Sequence, residues 1–146
     1  MRDRGFTLIE LMVVMTIFAL AAVAVVLVMP DPRGRIRDDA ERFAARARAA
    51  HDAAIVSARP VSVWVTPGGY GFDERAGGQW RALGDKLRVV QWRNGIQAVS
   101  SNAGGRDRVV FDPTGMADRP MMVELRRDGL SVRVSVGVNG AVRVGG

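Results

Sequence analysis

The 146-residue sequence contains no cysteine and only one histidine. The lack of cysteine excludes a disulfide scaffold, a cysteine-ligated zinc or iron–sulfur site and a cysteine nucleophile. The lone His51 excludes a metal site built from several histidines and disfavours a Ser/His/Asp triad. All 21 basic residues except Lys86 are arginine, against 15 acidic residues, so the formal net charge is +6.

The polar residues form no catalytic or cofactor-binding pattern. Gly68 to Gly71 is rich in glycine, but no basic residue or helix start follows it with the spacing of a phosphate-binding loop. No two carboxylates lie in apolar sequence as a general acid and base would. We therefore predict that the protein is not an enzyme and needs no cofactor and no metal. Its tryptophans are predicted to be core or sheet-face residues: Trp64, Trp80 and Trp92.

Hydrophobic residues are concentrated near the N-terminus. Between residues 6 and 29 the only exceptions are Thr7, Glu10 and Thr16. The rest of the chain has the composition of an ordinary soluble domain. As a helix, residues 11–29 can cross a hydrocarbon core about 30 Å thick. Two arginines precede the segment, which predicts a single-pass protein with a cytoplasmic N-terminus.

Three interpretations of this segment compete. A secretory signal explains the small residues from Ala22 to Ala24, but the apolar run continues to Met29 and exceeds the usual signal core of about 7–15 residues. A plain membrane anchor explains the length but leaves Glu10 unexplained. A carboxylate in a membrane helix is costly and usually marks a partner or a function. The third interpretation accounts for the glutamate.

The residues Gly5-Phe6-Thr7-Leu8-Ile9-Glu10, between a basic leader and an apolar helix, resemble the type IV prepilin signal of type IV pilins and type II secretion pseudopilins. The resemblance implies that prepilin peptidase cleaves between Gly5 and Phe6 and methylates the new Phe6 amine. An unpaired positive amine is costly in apolar surroundings. We therefore expect Glu10 of an incoming subunit to neutralise the Phe6 amine of its neighbour during assembly.

A second helix is predicted over residues 35–59, after prolines and a glycine between residues 30 and 34 that should break the first. Its apolar residues recur every three or four positions: Ile36, Ala40, Phe43, Ala47, Ala50, Ala54 and Ala58, with Ile55 adjoining. Its charges are spaced as solvated pairs: Arg35–Asp39, Asp38–Arg42 and Arg48–Asp52. His51 lies beside the stripe and is predicted to be a partly exposed helix residue, not a metal ligand.

From residue 60 onward the apolar period changes to two, which predicts strands. The predicted strands are 61–65, 70–73, 79–83, 86–92, 96–99, 108–111, 121–126, 130–138 and 141–144. Asp128-Gly129 and Asn139-Gly140 are hairpin-turn sequences, so the last third should be an antiparallel meander with one buried face. The predicted fold class is α+β: a hydrophobic transmembrane helix, then an amphipathic helix packed on an antiparallel sheet.

This order of elements resembles the H-type minor pseudopilins of type II secretion systems, particularly the segments Ser57 to Trp64 and Phe111 to Gly115. The resemblance implies a basic leader (1–5), a transmembrane and assembly helix (6–29) and a periplasmic head (30–146) with helix 35–59 and sheet 60–146. It implies an inner-membrane subunit of the periplasmic pseudopilus. The partners it implies are major and minor pseudopilins, prepilin peptidase and a secreted substrate or the secretion channel.

The same order of elements also resembles minor pilins of type IV pili. The alternative function is therefore a minor pilin that binds DNA during uptake, with phosphates neutralised by arginines of the head. The candidates are Arg106, Arg108, Arg119, Arg126, Arg127 and Arg133. Many type IV pilins carry a C-terminal cysteine pair that this chain lacks, which favours the type II apparatus. We do not expect a nucleic-acid partner.

Overall fold

The computed structural model describes residues 7–28, 32–93, 95–102 and 104–145. The chain divides into two compact units, residues 1–31 and residues 32–146. In the first unit the described residues form one helix, α1 (Leu8–Val28), over the predicted apolar run. The predicted processing residues Gly5 and Phe6 lie outside the described residues, as does Pro30 at the predicted helix break.

The second unit begins with α2 (Pro32–Ser57), which starts earlier than predicted. Pro32 and Gly34 lie in its first turn instead of interrupting the helix. Proline is tolerated at the first helical position because its missing N–H would have no intrahelical acceptor there. The helix ends earlier than residue 59 because Ala58 has a φ of 51°. Ala58 and Arg59 then donate backward to the carbonyls of Ile55 and Ala54, the hydrogen-bond pattern of a Schellman cap.

One antiparallel sheet contains five strands: β1 (Val61–Thr66), β2 (Gly69–Ala76), β3 (Gln79–Ala82), β4 (Val90–Gln91) and β6 (Asp107–Phe111). Their order is β3-β2-β1-β6, and β4 pairs with the first two residues of β2, on the same side of that strand as β3. Gly77 and Gly78 both have positive φ and form the two-residue turn between β2 and β3. Val63 lies opposite Phe72 and Val109, so the inner face of this sheet is apolar.

A second antiparallel sheet contains four strands: β5 (Gln97–Ser100), β7 (Met121–Arg127), β8 (Leu130–Val136) and β9 (Val142–Gly145). Their order is β5-β7-β8-β9, which confirms the predicted terminal meander. Asp128 and Gly129 have φ values of 50° and 76°, as a two-residue hairpin turn requires. The prediction of a single sheet was wrong, because β5 pairs with β7 whereas β6 pairs with β1.

The predicted strand over residues 86–92 was also wrong for most of its length. Asp85–Leu87 form a 3-10 turn, in which Leu87 N–H donates to the Gly84 carbonyl, and only Val90–Gln91 pair as β4. Trp92 then turns toward the interior. Its backbone N–H donates to the Gly68 carbonyl at 3.0 Å and its indole N–H to the Thr66 carbonyl at 3.1 Å. These two bonds hold the indole in the core.

The predicted stripe of α2 packs against strands of both sheets. The stripe is buried from Ile36 to Ala54, whereas Ala58 lies past the helix end and is exposed. Its alanines have short side chains, so the helix lies close to the sheets and can still be well packed. Phe43 is the largest member of the stripe, and its ring packs edge-on against Tyr70 and Trp92 at centroid distances of 4.9 and 5.6 Å. The α+β prediction is confirmed.

Candidate functional site

The helix α1 exposes hydrophobic side chains along its whole length. The segment Leu8–Leu27 has a mean hydropathy of 2.6, and none of it is buried within the chain. Leu8 and Leu27, near the two ends, are 79% and 80% exposed. A helix that is hydrophobic on all sides needs lipid or other helices around it. By length and composition α1 can cross a membrane.

Glu10 is the acidic residue in the first turn of α1. It is exposed, and among the described residues no hydrogen bond or ion pair reaches its carboxylate. The other polar residue within α1 is Thr16, whose hydroxyl donates to the Met12 carbonyl at 2.8 Å and is thereby satisfied inside the helix. Within the described part of α1, Glu10 thus differs from Thr16, whose hydroxyl is bonded inside the helix.

His51 lies where α2 meets two turns of the sheet region. Its side chain is 24% exposed, as predicted, and Nδ1 lies 3.0 Å from the Asp52 carboxylate. The ring packs edge-on against Phe111 at a centroid distance of 5.5 Å. Within the described part of the chain, no group of three His, Asp or Glu residues could hold a metal. His51 packs between the two turns.

Two glycines allow the turns to approach His51. Gly115 and Gly140 have φ values of 84° and 75°, which favour glycine. A Cβ atom at Gly115 would lie 2.7 Å from His51 Nε2, and one at Gly140 would lie 2.6 Å from His51 Cδ2. The sequence indicated the turn at Asn139-Gly140 but not that it meets Gly115 at the same side chain.

Three of the six candidate DNA-binding arginines lie on or beside β6. Arg108 pairs with Asp73 at 2.9 Å, and Arg106 reaches the same carboxylate at 4.0 Å. The Arg106 guanidinium also lies 4.4 Å from the ring centroid of Trp64. Arg119 pairs at 2.7 Å with Asp107, which is 3% exposed. Each of these arginines already has an acidic partner within the head.

The other three candidates lie on β7 and β8. Arg126 and Arg133 share the Glu124 carboxylate, the latter at 3.7 Å, and Arg127 pairs with Asp128 at 3.2 Å. The six arginines thus divide between two sheets, and each lies within 4.0 Å of one of four carboxylates, two of which are shared. A protein that follows a DNA backbone needs cations aligned along one surface and free to replace counterions. This arrangement disfavours the DNA-binding alternative.

The predicted ion pairs along α2 were wrong. Within the described part of α2, none of the three predicted pairs approaches within 4.0 Å. Asp39 points inward instead, is 7% exposed, and pairs with Arg93 at 3.3 Å. Arg48 donates to the Val142 carbonyl at 3.1 Å and ties α2 to β9. Burial raises the pKa of Asp39, and the Arg93 guanidinium acts in the opposite direction.

Comparison with known families accounts for the two parts of the chain separately. Residues 1–26 match the prokaryotic N-terminal methylation motif. Residues 39–141, most of the chain, match the type II transport protein GspH family. The chain belongs to the GspH family. The resemblance to H-type pseudopilins that the sequence indicated is confirmed, and the methylation match includes Gly5, Phe6 and Glu10.

One relative and two solved structures resemble the chain. The type II secretion system protein H of Aeromonas hydrophila is 35% identical over an alignment of 91 residues that covers 59% of this chain and 50% of the relative. The chain thus matches about half the length of this relative. The minor pseudopilin EpsH of the Vibrio cholerae type 2 secretion system has a TM-score of 0.64 at 18% identity, covering 75% of this chain and 95% of EpsH.

The type IV minor pilin FimU of Pseudomonas aeruginosa has a TM-score of 0.62 at 17% identity, covering 78% of this chain and 90% of FimU. At such identities EpsH and FimU establish the pilin-like fold of this GspH-family chain, and no more. The family match, not the fold, therefore separates the type II assignment from the type IV alternative.

Proposed function

We propose that this GspH-family chain is a minor pseudopilin, a structural subunit of the periplasmic pseudopilus of the type II secretion system. The observation that carries the proposal is a methylation motif over residues 1–26 joined to a GspH-family region over residues 39–141. In this proposal residues 1–5 are a leader, residues 6–29 the membrane and assembly helix, and residues 30–146 the periplasmic head. Prepilin peptidase cleaves between Gly5 and Phe6 and methylates Phe6.

The proposed role is packing, and no chemical step is assigned to the chain itself. Before assembly α1 is surrounded by inner-membrane lipid, and after assembly by the helices of other major and minor pseudopilins. Because lipid tails are as apolar as leucine, this transfer has little hydrophobic driving force. The head is then free to contact other subunits, the secreted substrate or the secretion channel.

Glu10 supplies what apolar packing does not, which is a fixed register. Its exposed carboxylate in the first turn of α1 can pair with the Phe6 amine of a neighbouring subunit. Removing one partner of a buried ion pair costs about 3–5 kcal/mol, because the other charge is left unpaired. A subunit without Glu10 would leave the Phe6 amine of its neighbour buried and without an acidic partner.

The test replaces Glu10 with alanine in the full chain, expressed with its secretion system. We expect Glu10→Ala to be cleaved and methylated normally, as measured by mass spectrometry of the N-terminus, but to be absent from sheared pseudopilus fractions. The matched control is Glu41→Ala, since Glu41 is an exposed glutamate on α2. The control should be processed and assembled like the unaltered chain.

Normal incorporation of Glu10→Ala into pseudopili would refute the neutralisation argument. A separate substitution tests processing: replacing Gly5 by alanine or a bulkier residue should leave the leader attached. If Gly5 variants are still cleaved between residues 5 and 6, the proposed peptidase recognition is wrong.

A further inference from the structure

In the first sheet β6 forms one edge, and β3 and the two-residue β4 together form the other; in the second sheet the edges are β5 and β9. The β6 edge is closed by an adjacent segment. On β6 the Val110 N–H donates to the Asp118 carboxylate at 2.8 Å, and the Val110 carbonyl accepts from the Asp118 N–H at 3.0 Å. The Arg119 side chain donates to the carbonyl of Arg108, the next residue of β6 whose backbone groups point outward. Closed edges of this kind prevent another strand from pairing.

The two edges of the other sheet each have one outward group bonded. On β5 the Ala98 N–H donates to the Pro67 carbonyl at 3.4 Å. On β9 the Val142 carbonyl accepts from Arg48 at 3.1 Å. An incoming strand would have to displace these contacts at either edge.

On the remaining edge, which β3 shares with the two-residue β4, the described part of the chain makes no such contact to β3. Residues 76 and 79 face each other across the turn, and Leu83 N–H donates to the Phe72 carbonyl. Because inward and outward pairs alternate along an antiparallel strand, the backbone groups of Trp80 and Ala82 point away from β2. Among the described residues no hydrogen bond reaches these outward groups. β3 therefore offers two N–H and two C=O groups to another chain.

The side chains around β3 carry uncompensated positive charge. Asp73 is paired with Arg108 at 2.9 Å, and Glu74 with Arg59 at 3.2 Å. Arg75, opposite Trp80, and Arg81, within β3, are exposed and form no ion pair within 4.0 Å in the described part of the chain. The free guanidiniums lie on opposite faces of the sheet, because adjacent residue pairs alternate between faces.

We propose that β3 is a docking edge for an extended, acidic segment of another polypeptide, which adds as a further strand. Main-chain bonds to Trp80 and Ala82 hold the segment, and its carboxylates meet Arg75 on one face and Arg81 on the other. Trp80 adds an aromatic surface, with the guanidiniums of Arg75 and Arg108 lying 5.9 and 5.2 Å from its ring centroid. This site involves only the second unit and does not depend on the proposed role of Glu10.

The test uses the full chain in detergent micelles and a blocked nine-residue peptide of alternating valine and glutamate as the probe. A peptide with lysine in place of glutamate is the matched control. We expect the glutamate peptide to bind and to slow amide hydrogen exchange at Trp80 and Ala82, and the lysine peptide to do neither. No binding of the glutamate peptide, equal binding of both, or protection at another edge would overturn the proposal.

Two variants test the backbone and the charge separately. Ala82→Pro removes an outward N–H while leaving the bonds to β2, and should weaken binding by roughly five- to tenfold, the effect of about one hydrogen bond. Arg75→Glu combined with Arg81→Glu should weaken it by more than about tenfold. The control is Arg143→Glu on β9, which makes the same charge change at one exposed arginine of another edge strand. It should alter affinity by less than about twofold.

If Ala82→Pro does not fold, the double arginine variant decides the question. Unchanged affinity in that variant, or an equal loss in Arg143→Glu, would refute docking at β3.

Discussion

Replacing Gly140 by alanine should destabilise the head much more than the same replacement at Gly129. The two glycines have nearly identical φ values, 75° and 76°. A Cβ atom at Gly129 would meet nothing within 4 Å. At Gly140 it would overlap the Gly115 carbonyl oxygen and lie 2.6 Å from His51 Cδ2. The pair thus separates backbone strain from steric conflict.

The magnitudes follow from these two terms. Alanine in the left-handed region costs about 1–2 kcal/mol relative to glycine, and both variants incur this cost. Forcing an extra carbon into a packed site adds about 1–3 kcal/mol. We therefore expect a loss of about 1–2 kcal/mol for Gly129→Ala and about 2–5 kcal/mol for Gly140→Ala. Since whole domains are stable by about 5–15 kcal/mol, the second value is a large fraction.

The assay is urea unfolding of the full chain in detergent, followed by tryptophan fluorescence. All three tryptophans lie in the second unit, and Trp92 is 8% exposed, so the signal reports on the head alone. The difference in free energy of unfolding between the two variants is the measured quantity. If the variants lose equal stability within about 0.5 kcal/mol, the steric argument is wrong.

A double substitution sharpens the test, because the two turns meet different atoms. The three atoms nearest to a Cβ at Gly115 would all belong to side chains, with His51 Nε2 at 2.7 Å and Ile55 Cδ1 at 3.0 Å. Shortening His51 to alanine should therefore recover part of the loss in Gly115→Ala. It should recover little in Gly140→Ala, because the Gly115 carbonyl remains. Equal recovery in both backgrounds would contradict the geometry.

Two further predictions concern charge. Asp39 has a folded-state pKa raised by burial above its ordinary value of 3.8, so its ionisation disfavours folding as pH rises through the folded-state pKa. The stability of Asp39→Asn relative to the unaltered chain should therefore increase as pH rises from below 3.8 through the folded-state pKa. If the difference in free energy of unfolding between the two proteins does not change with pH, this argument is wrong. In gel shifts at low salt, the full chain should not retard duplex DNA. Retardation that disappears with added salt would support the DNA-binding alternative and its candidate arginines: Arg106, Arg108, Arg119, Arg126, Arg127 and Arg133.

The sequence predicted those elements whose structure depends on residues close together in the chain. The apolar run from residue 6 to 29 predicted α1 because a helix needs only its own backbone bonds and an apolar environment. The period of three and four predicted which face of α2 is buried. The Asp128-Gly129 turn predicted the β7–β8 hairpin because left-handed turn residues are few. Glu10, with the residues before it, was recognisable for the same reason: the motif is contiguous.

Features that join distant parts of the chain were not predicted. A strand pattern shows which face is buried but not which strand is its neighbour, so the separation of β5 and β6 into two sheets was missed. The inward position of Asp39 was missed because its partner, Arg93, lies in a loop far along the sequence. The same limit hid the meeting of Gly115 and Gly140 at His51.

By itself the sequence determined the apolar helix with its glutamate, the buried stripe of α2 and the hairpins of the last sheet, because each depends on residues a few positions apart. Only the tertiary structure decided which strands are neighbours, which arginines are already paired and which sheet edge is left open. That β3 has no bonded outward group in the described part of the chain, unlike β5, β6 and β9, is visible only from contacts between distant residues. Pairing between distant residues depends on how the chain is packed, and that information is spread over the whole fold.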